Sequence, residues 1–384
     1  MKKVIFDTDG GGDDLWALLL LIDAHQSGQI ELMGVTTCFG NTSLDNASNN
    51  ILNFLYHCGI SDIPVFKGAM RTLNSLRGLA DGAFGTDGLS EGKLPQSDQS
   101  FSTISAHDFL CATLKSSKTP ISIISTGPAT NIAGAFKSNP NFDRNNVEIL
   151  WMGGAVLPSG GDHYPITRED GTLNRGNITP HMEFNAGNDV PAIQIITSLK
   201  NTRVTISSMD AGQNMDFAPK YQDILKQKMS DIGKGDIADN LIAFLQNVIA
   251  LDQMKQGMKG TPIYDAQTVQ KFLCDLDGTA SDIFPKPIPL KSVTVIDKSE
   301  LVPAFLAASD AGEFAPELLD THGKMSIEAM PNDQTSNIQF IPGLYSIDET
   351  IREDNIPAAA KMGNKRAHDL INRVTKASQK IIFT

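Results

Sequence analysis

Short apolar runs recur along the chain at residues 4–6, 32–37, 121–124, 147–152, 204–206 and 293–296, and helical patterns separate most of them. Runs this short, apolar throughout instead of alternating, are those of strands covered on both faces, and their alternation with helices predicts βαβ units. The expected fold class is α/β: a single doubly wound, mostly parallel sheet with helices on both faces and a Rossmann-like core, with residues 1–384 as one domain. Residues 280–384 form a less typical C-terminal part. There 291–296 and 326–328 read as closing strands around an insertion, and 364–380 as an amphipathic terminal helix of open role. Ligands of such sheets bind beyond the carboxyl ends of the strands. Polar residues fall there: Asp7 and Asp9 after the first run, Asn41 after the second, Ser125 and Thr126 after 121–124, Gly153 and Gly154 after 147–152. They are expected to share one crevice. The long loops 79–99 and 157–178, rich in Gly, Asp and Ser, are candidates for a mobile lid over it.

The stretch VIFDTDGGGDDLWALLL at residues 4–20 carries Asp7, Asp9, Asp13 and Asp14. Ionised carboxylates so crowded repel one another, and the dipole of the helix that Asp13 and Asp14 open relieves only part of this. A bound cation is the natural remedy. Oxygen ligands on a Gly loop, with no Cys or His nearby, suit Ca2+ or Mg2+ and not zinc. The plainer alternative is a solvated acidic turn with capping aspartates.

A net charge of -12 with dispersed Lys and Arg argues against a nucleic acid partner. Cys38, Cys58, Cys111 and Cys274 lie far apart without CxxC spacing, as buried thiols of a reducing compartment do. The chain starts straight into its first strand, and the apolar run 15–22 is too short for a bilayer, so no membrane partner and a cytoplasmic location are expected.

VIFDTDG resembles the signature of the haloacid dehalogenase phosphatases, and FLCDLDGT at residues 272–279 resembles it more closely. Gly11 departs from that family's Thr or Val at the first copy. Val269, Phe272 and Leu273 make the second copy the end of an amphipathic helix, not a strand feeding a loop.

A wider resemblance is to the inosine-uridine preferring nucleoside hydrolases. Their DxDxxxDD mark is Asp7, Asp9, Asp13, Asp14, followed in family order by FGN at 39–41, GTDGL at 85–89, STGPATNIA at 125–133, WMGGA at 151–155, GNITPHMEFN at 176–185 and PIYDA at 262–266. The resemblance implies one Ca2+ held by Asp9, Asp14, the backbone carbonyl of Thr126 and Asp265, with a water and the ribose diol completing its shell. It makes Asp13 the general base and gives Asn41, Met152, Asn177, Glu183 and Asn185 to the ribose. Asp7 would orient the loop. Thr126 would act through its carbonyl alone, so its side chain is expected to matter little. Taken by themselves, Asn177, Glu183 and Asn185 read as capping and turn residues.

Many members carry His before the last metal aspartate and another ahead of the GTDGL block, where this chain has Tyr264 and Phe84. Phenylalanine gives no proton, and a phenol of pKa ~10 is a poor donor at neutral pH. His163 and His181 lie in or beside family blocks and are the histidines to weigh as replacements. The purine-specific branch has aromatics at those two positions and activates the base by stacking, so Phe84 and Tyr264 are expected to hold a purine, unless they are ordinary core aromatics. The implied function is Ca2+-dependent hydrolysis of the N-glycosidic bond of ribonucleosides, purine ones first, giving free base and ribose. Alternatives are a pyrimidine or modified-nucleoside hydrolase, or a catalytically weak ribose- or nucleoside-binding protein, against which the retained Asp13 argues. A small-molecule nucleoside is the expected partner, and a homo-oligomer is open.

Overall fold

A computed structural model describes residues 1–384 apart from 80–81, 141–145, 159–175, 180, 213–214, 216, 257–259, 312–315, 320, 331–335, 342–355 and 384. Each of the six apolar runs lies on a strand, the last overrunning its strand by one residue. In chain order the strands are β1 (Lys2–Thr8), β2 (Ile30–Thr37), β3 (Val65–Lys67), β4 (Ile121–Ser125), β5 (Val147–Met152), β6 (Val156–Pro158), β7 (Arg203–Ser207), β8 (Ile288–Val295), β9 (Met325–Ala329) and β10 (Ile338–Ile341). They form one sheet in the order β3-β2-β1-β4-β5-β7-β10-β8-β9-β6. From β3 to β10 every neighbouring pair is parallel, while β8 runs antiparallel to both β10 and β9.

Successive residues of a strand face opposite sides, and β1 shows the consequence: Val4 and Phe6 enter one apolar core and Ile5 the other. Both faces are covered, as the unbroken apolar runs require. The helix Gly12–Gln26 is buried along nearly all its length, from Gly12 to Ile22, because it lies between the sheet and the helices Tyr264–Asp277 and Ile356–Lys380. An all-round apolar helix is one with no solvent face. Among the described residues no helix is long and apolar enough to cross a membrane, and all four cysteines are free.

The terminal helix begins at Ile356, eight residues before its expected start, and it is a core element. Its Arg366 is fully buried, donating to the carbonyls of Ala211 and Ile283 and to Gln267 Oε1 at 2.9 Å, with its guanidinium 4.3 Å above the Phe284 ring. Burial pushes its pKa down to about 9. The closing strands appear as β8 and β9, and β9 pairs with β6, so the segment after residue 280 extends the same sheet. The look-alike 272–277 is helical, within Tyr264–Asp277, as its apolar spacing predicts.

The expected lid 79–99 is anchored where it is described. Asn50 donates to Asp87 O at 2.7 Å, Thr42 to Thr86 O at 2.9 Å, and Asn240 to Lys93 O at 2.7 Å. Buried Phe84 and Leu89 hold it from below. Side chains from elsewhere in the chain satisfy its backbone, which a Gly- and Asp-rich composition does not reveal. Most of the other lid candidate, 157–178, lies outside the described residues.

A buried histidine ties the C-terminal insertion to the site. His322 accepts from Lys298 N–H at 2.9 Å through Nδ1, so Nε2 carries the proton and donates to Gly187 O at 2.9 Å. Burial depresses its pKa below 6.5. The folded protein thus binds this proton less tightly than the unfolded chain, and the resulting stability is present above pH ~6.5 and lost as pH falls from there towards the depressed value. The melting temperature of the wild type should therefore fall more steeply below pH ~6.5 than that of His322→Gln. Parallel curves from pH 8 to pH 5 would remove His322 from the account.

Candidate active site

Parallel register sets the site. Asp7 on β1 lies level with Thr36 on β2 and Ser125 on β4, and Ser125 lies level with Trp151 on β5. The next residues along, Thr8, Thr126 and Met152, therefore form a row at the carboxyl edge. Asp7 is spent on this frame: it is fully buried and accepts from Thr36 Oγ1 at 2.7 Å, Asn131 Nδ2 at 2.9 Å and Ser125 Oγ at 3.1 Å. A carboxylate so enclosed has no access to a phosphate ester, which removes the phosphatase reading. Its side-chain partners stand on β2, on β4 and at residue 131, so the carboxylate braces the strand ends.

Two helix N-termini aim acids at this edge. Asp13 and Asp14 stand in the first turn of Gly12–Gln26, and Asp265 in the first turn of Tyr264–Asp277. Asp14 Oδ2 accepts from Gly11 N–H at 2.7 Å, closing the helix start, while its Oδ1 accepts from Thr8 Oγ1 and from Thr126 Oγ1 at 2.6 Å. Carboxylate oxygens of Asp13, Asp14 and Asp265 lie within 4.8 Å of one another. Asp9 sits at the margin of this trio: both its oxygens accept from Asn41, from N–H at 2.9 Å and Nδ2 at 3.0 Å, and it hydrogen-bonds Asp14. Gly40 is what lets that loop close in, since a Cβ there would stand 1.9 Å from Asp9 Oδ2.

All four acids are buried, and burial is the largest cause raising each pKa. The charge of Asp14 adds to it at Asp9 and Asp13, and that of Asp13 at Asp265; Asp13 rises to about 7. No Lys or Arg among the described residues lines the pocket above them. Asp13 Oδ1 is buried without a hydrogen-bond partner. An oxygen-only donor set, short of positive charge and with an orphaned oxygen, fits a hard divalent cation.

That pocket gathers Asp13, Asn41, Thr126 and Asp265 with Met152, Asn177, Glu183 and Asn185, and it reaches Phe84 and Tyr264. Asp9 and Asp14 lie behind its wall, fully buried. Glu183 caps the short helix Phe184–Asn188: Oε1 accepts from Asn185 N–H, Oε2 from Ala186 and Gly154 N–H, at 2.6 to 2.9 Å. Asn177 Oδ1 accepts from Phe184 N–H at 2.8 Å. Asn185 Nδ2 donates to Thr126 O at 3.0 Å and Met152 O at 3.2 Å, leaving its Oδ1 buried and unpartnered. These are indeed capping and turn residues, and the caps are what aim them into the pocket. One expectation is corrected: the Thr126 side chain is no bystander, because its hydroxyl is a donor to Asp14.

Residues 4–339 match the sequence profile of the inosine-uridine preferring nucleoside hydrolases. The chain belongs to that family. A pyrimidine-specific ribonucleoside hydrolase, RihA of Citrobacter koseri, is 29% identical over 266 residues, 69% of this chain and 77% of its own length. Uridine nucleosidase 1 of Arabidopsis thaliana is 31% identical over 196 residues, 51% of this chain and 53% of its own. A purine-preferring ribonucleoside hydrolase from Gardnerella vaginalis shares the fold, with a TM-score of 0.72 at 20% identity over 99% of this chain and all of that one.

The reaction class comes with the family: this nucleoside hydrolase is an N-ribohydrolase that cleaves the N-glycosidic bond of ribonucleosides. No histidine lines its pocket among the described residues. His163 lies outside them, and His181 is half-buried away from the lining. The Tyr264 ring lies against Gly212, where a Cβ would come within 2.2 Å of it. Sequence reasoning missed one whole wall, made by Leu245, Val248, Leu251 and Asp252 at and along the helix Gln246–Gln256. Asp252 interrupts the apolar spacing of Leu241, Leu245 and Val248, and an acid on such a face was the available signal.

Proposed function

We propose that this nucleoside hydrolase is Ca2+-dependent and prefers purine nucleosides, releasing free base and ribose, with residues 1–384 acting as one unit. The observation that carries the reading is a pocket whose acidic floor gives way to the aromatic side chains Phe84 and Tyr264, with no imidazole among its described lining. Asp9, Asp14, Asp265 and the Thr126 carbonyl are the groups we assign to hold the cation. When bound, the ion fixes the ribose diol and makes a water easier to deprotonate.

Asp13 then serves as the general base, its unpartnered Oδ1 taking the proton of the water whose oxygen bonds to C1′. The electrons of the N-glycosidic bond leave with the base, whose nitrogen takes up a proton from solvent as Asp13 later returns its own, so that neutral base and ribose result. Positive charge develops on the ribose ring as that bond breaks, and the carboxylate of Glu183 and the amide oxygen of Asn185 stand around the sugar position to stabilise it. Phe84 and Tyr264 pack on the faces of the leaving base, which suits a bicyclic ring.

Reducing-sugar release from inosine, guanosine, uridine and cytidine, with and without chelator, tests the reading. Purine nucleosides should turn over faster, and chelation should stop them. Faster release from uridine would favour the pyrimidine reading, which the names of the relatives from Citrobacter and Arabidopsis support. Tyr264 supplies a sharper arm. If its ring face does the work, Tyr264→Phe keeps most of kcat/KM, while Tyr264→Ala forfeits stacking and apolar burial worth roughly 2 kcal/mol, a loss of about 30-fold. A Tyr264→Phe enzyme as damaged as Tyr264→Ala would move the role to the hydroxyl.

A further inference from the structure

Among the described residues Asp252 is the one charged residue on the otherwise apolar wall made by Leu245, Val248 and Leu251. Leu245, Val248, Leu251 and Asp252 follow one another at the spacings that bring residues to a single face of a helix, and all four line the cavity. The same cavity is lined by Asp13 and Asp265, and Thr261, which bonds Asp252, directly precedes Pro262 and stands three residues before Tyr264, both of them lining residues. On the proposed reading Tyr264 packs on the base, so the bond from Thr261 ties Asp252 to the segment at the base's end of the pocket. The carboxylate is also held: the hydroxyl of fully buried Thr261 donates to Asp252 Oδ2 at 2.5 Å. A fixed carboxylate at the rim of an apolar cleft offers acceptors only, and the complementary surface on a nucleobase is an N–H donor.

From this placement we infer that Asp252 is a specificity-determining residue that accepts a hydrogen bond from an N–H on the edge of the base remote from the sugar. The substrate class is a nucleoside whose base carries such a donor, as 6-oxopurines do at N1 and uracil does at N3. Purine riboside, whose N1 is a bare acceptor, would meet the carboxylate lone pair to lone pair. The inference rests on the reading of the pocket as a nucleoside site, yet it is independent of whether a purine or a pyrimidine is preferred.

The test compares inosine with purine riboside in the wild type, Asp252→Asn and Thr261→Val, reading the ratio of the two kcat/KM values. Comparing ratios between proteins cancels the intrinsic difference between the leaving groups. An asparagine amide both donates and accepts, so Asp252→Asn should shift the ratio away from inosine by ~10- to 100-fold, the usual worth of a hydrogen bond to a charged group. The change should appear mainly in KM. Thr261→Val, which removes one hydroxyl that holds the carboxylate in place, should shift the ratio in the same direction by less, and it keeps the test alive if Asp252→Asn does not fold. Ratios equal to the wild-type value in both variants would overturn the inference while leaving the nucleoside hydrolase reading intact. Failure of the wild type to release sugar from any nucleoside would instead overturn that reading.

Discussion

Asp13→Asn should lower kcat by ~100- to 10,000-fold, the span that loss of a positioned general base produces. The substitution keeps the size of the side chain while removing its charge and its capacity to take a proton, at the cost of turning one acceptor oxygen into a donor. Asp13 Oδ1 has no hydrogen-bond partner in the protein, so the amide forfeits no contact there. Its carboxylate also stands within reach of Asp14 and Asp265, and neutralising one of three crowded acids relieves repulsion. The metal-free variant should therefore melt no lower than the wild type, and binding of the substrate should survive. A merely structural role predicts the reverse, with lost stability and retained turnover in the fraction that stays folded. Sugar release under saturating inosine, with calorimetric binding of the unreacted nucleoside, separates the two. Turnover within tenfold of the wild type would transfer the base to another carboxylate.

Much of this arrangement is legible in the sequence because it depends on local pattern. Asp7, Asp9, Asn41, Thr126 and Met152 stand at or just beyond the ends of apolar runs, and parallel strands with level ends bring such positions to one edge. β3, β6 and β10, of three, three and four residues, are too short to show a period, and tertiary pairing alone defines them. The anchoring of the loop 79–99 depends on Asn50, Thr42 and Asn240, which are remote in sequence and carry no sign of their partners. The family motif points only to the backbone carbonyl of Thr126, whereas its hydroxyl bond to Asp14 spans 112 residues. Arg366 is invisible in the sequence for a different reason. A buried arginine satisfied by carbonyls and an amide oxygen needs no acid nearby, so no charge pairing marks it.

The cation should prove as decisive as the base. Asp9, Asp13, Asp14 and Asp265 are buried in and behind the wall of a cleft with no lining Lys or Arg among the described residues, an arrangement that stores repulsion until a positive charge relieves it. Crystals grown with calcium should show one ion with oxygen ligands at ~2.3 to 2.6 Å. A ligand that binds only the folded state at ~100 times its Kd stabilises by about 2.7 kcal/mol. With an unfolding entropy of ~2.1 cal/mol/K per residue, a chain of 384 residues melts on the order of 3 °C higher for that gain. Asp14→Ala and Asp265→Ala should both abolish the calcium-dependent rise and reduce sugar release to background. Thr126→Val should weaken calcium binding too, because it strips Asp14 of a hydroxyl donor while leaving the carbonyl in place. Melting curves that overlay with calcium and with chelator, or an Asp265→Ala enzyme that still responds to calcium, would remove the ion from this site. If calcium stabilises the protein but chelation leaves turnover unchanged, the ion is structural and Asp13 must work without it.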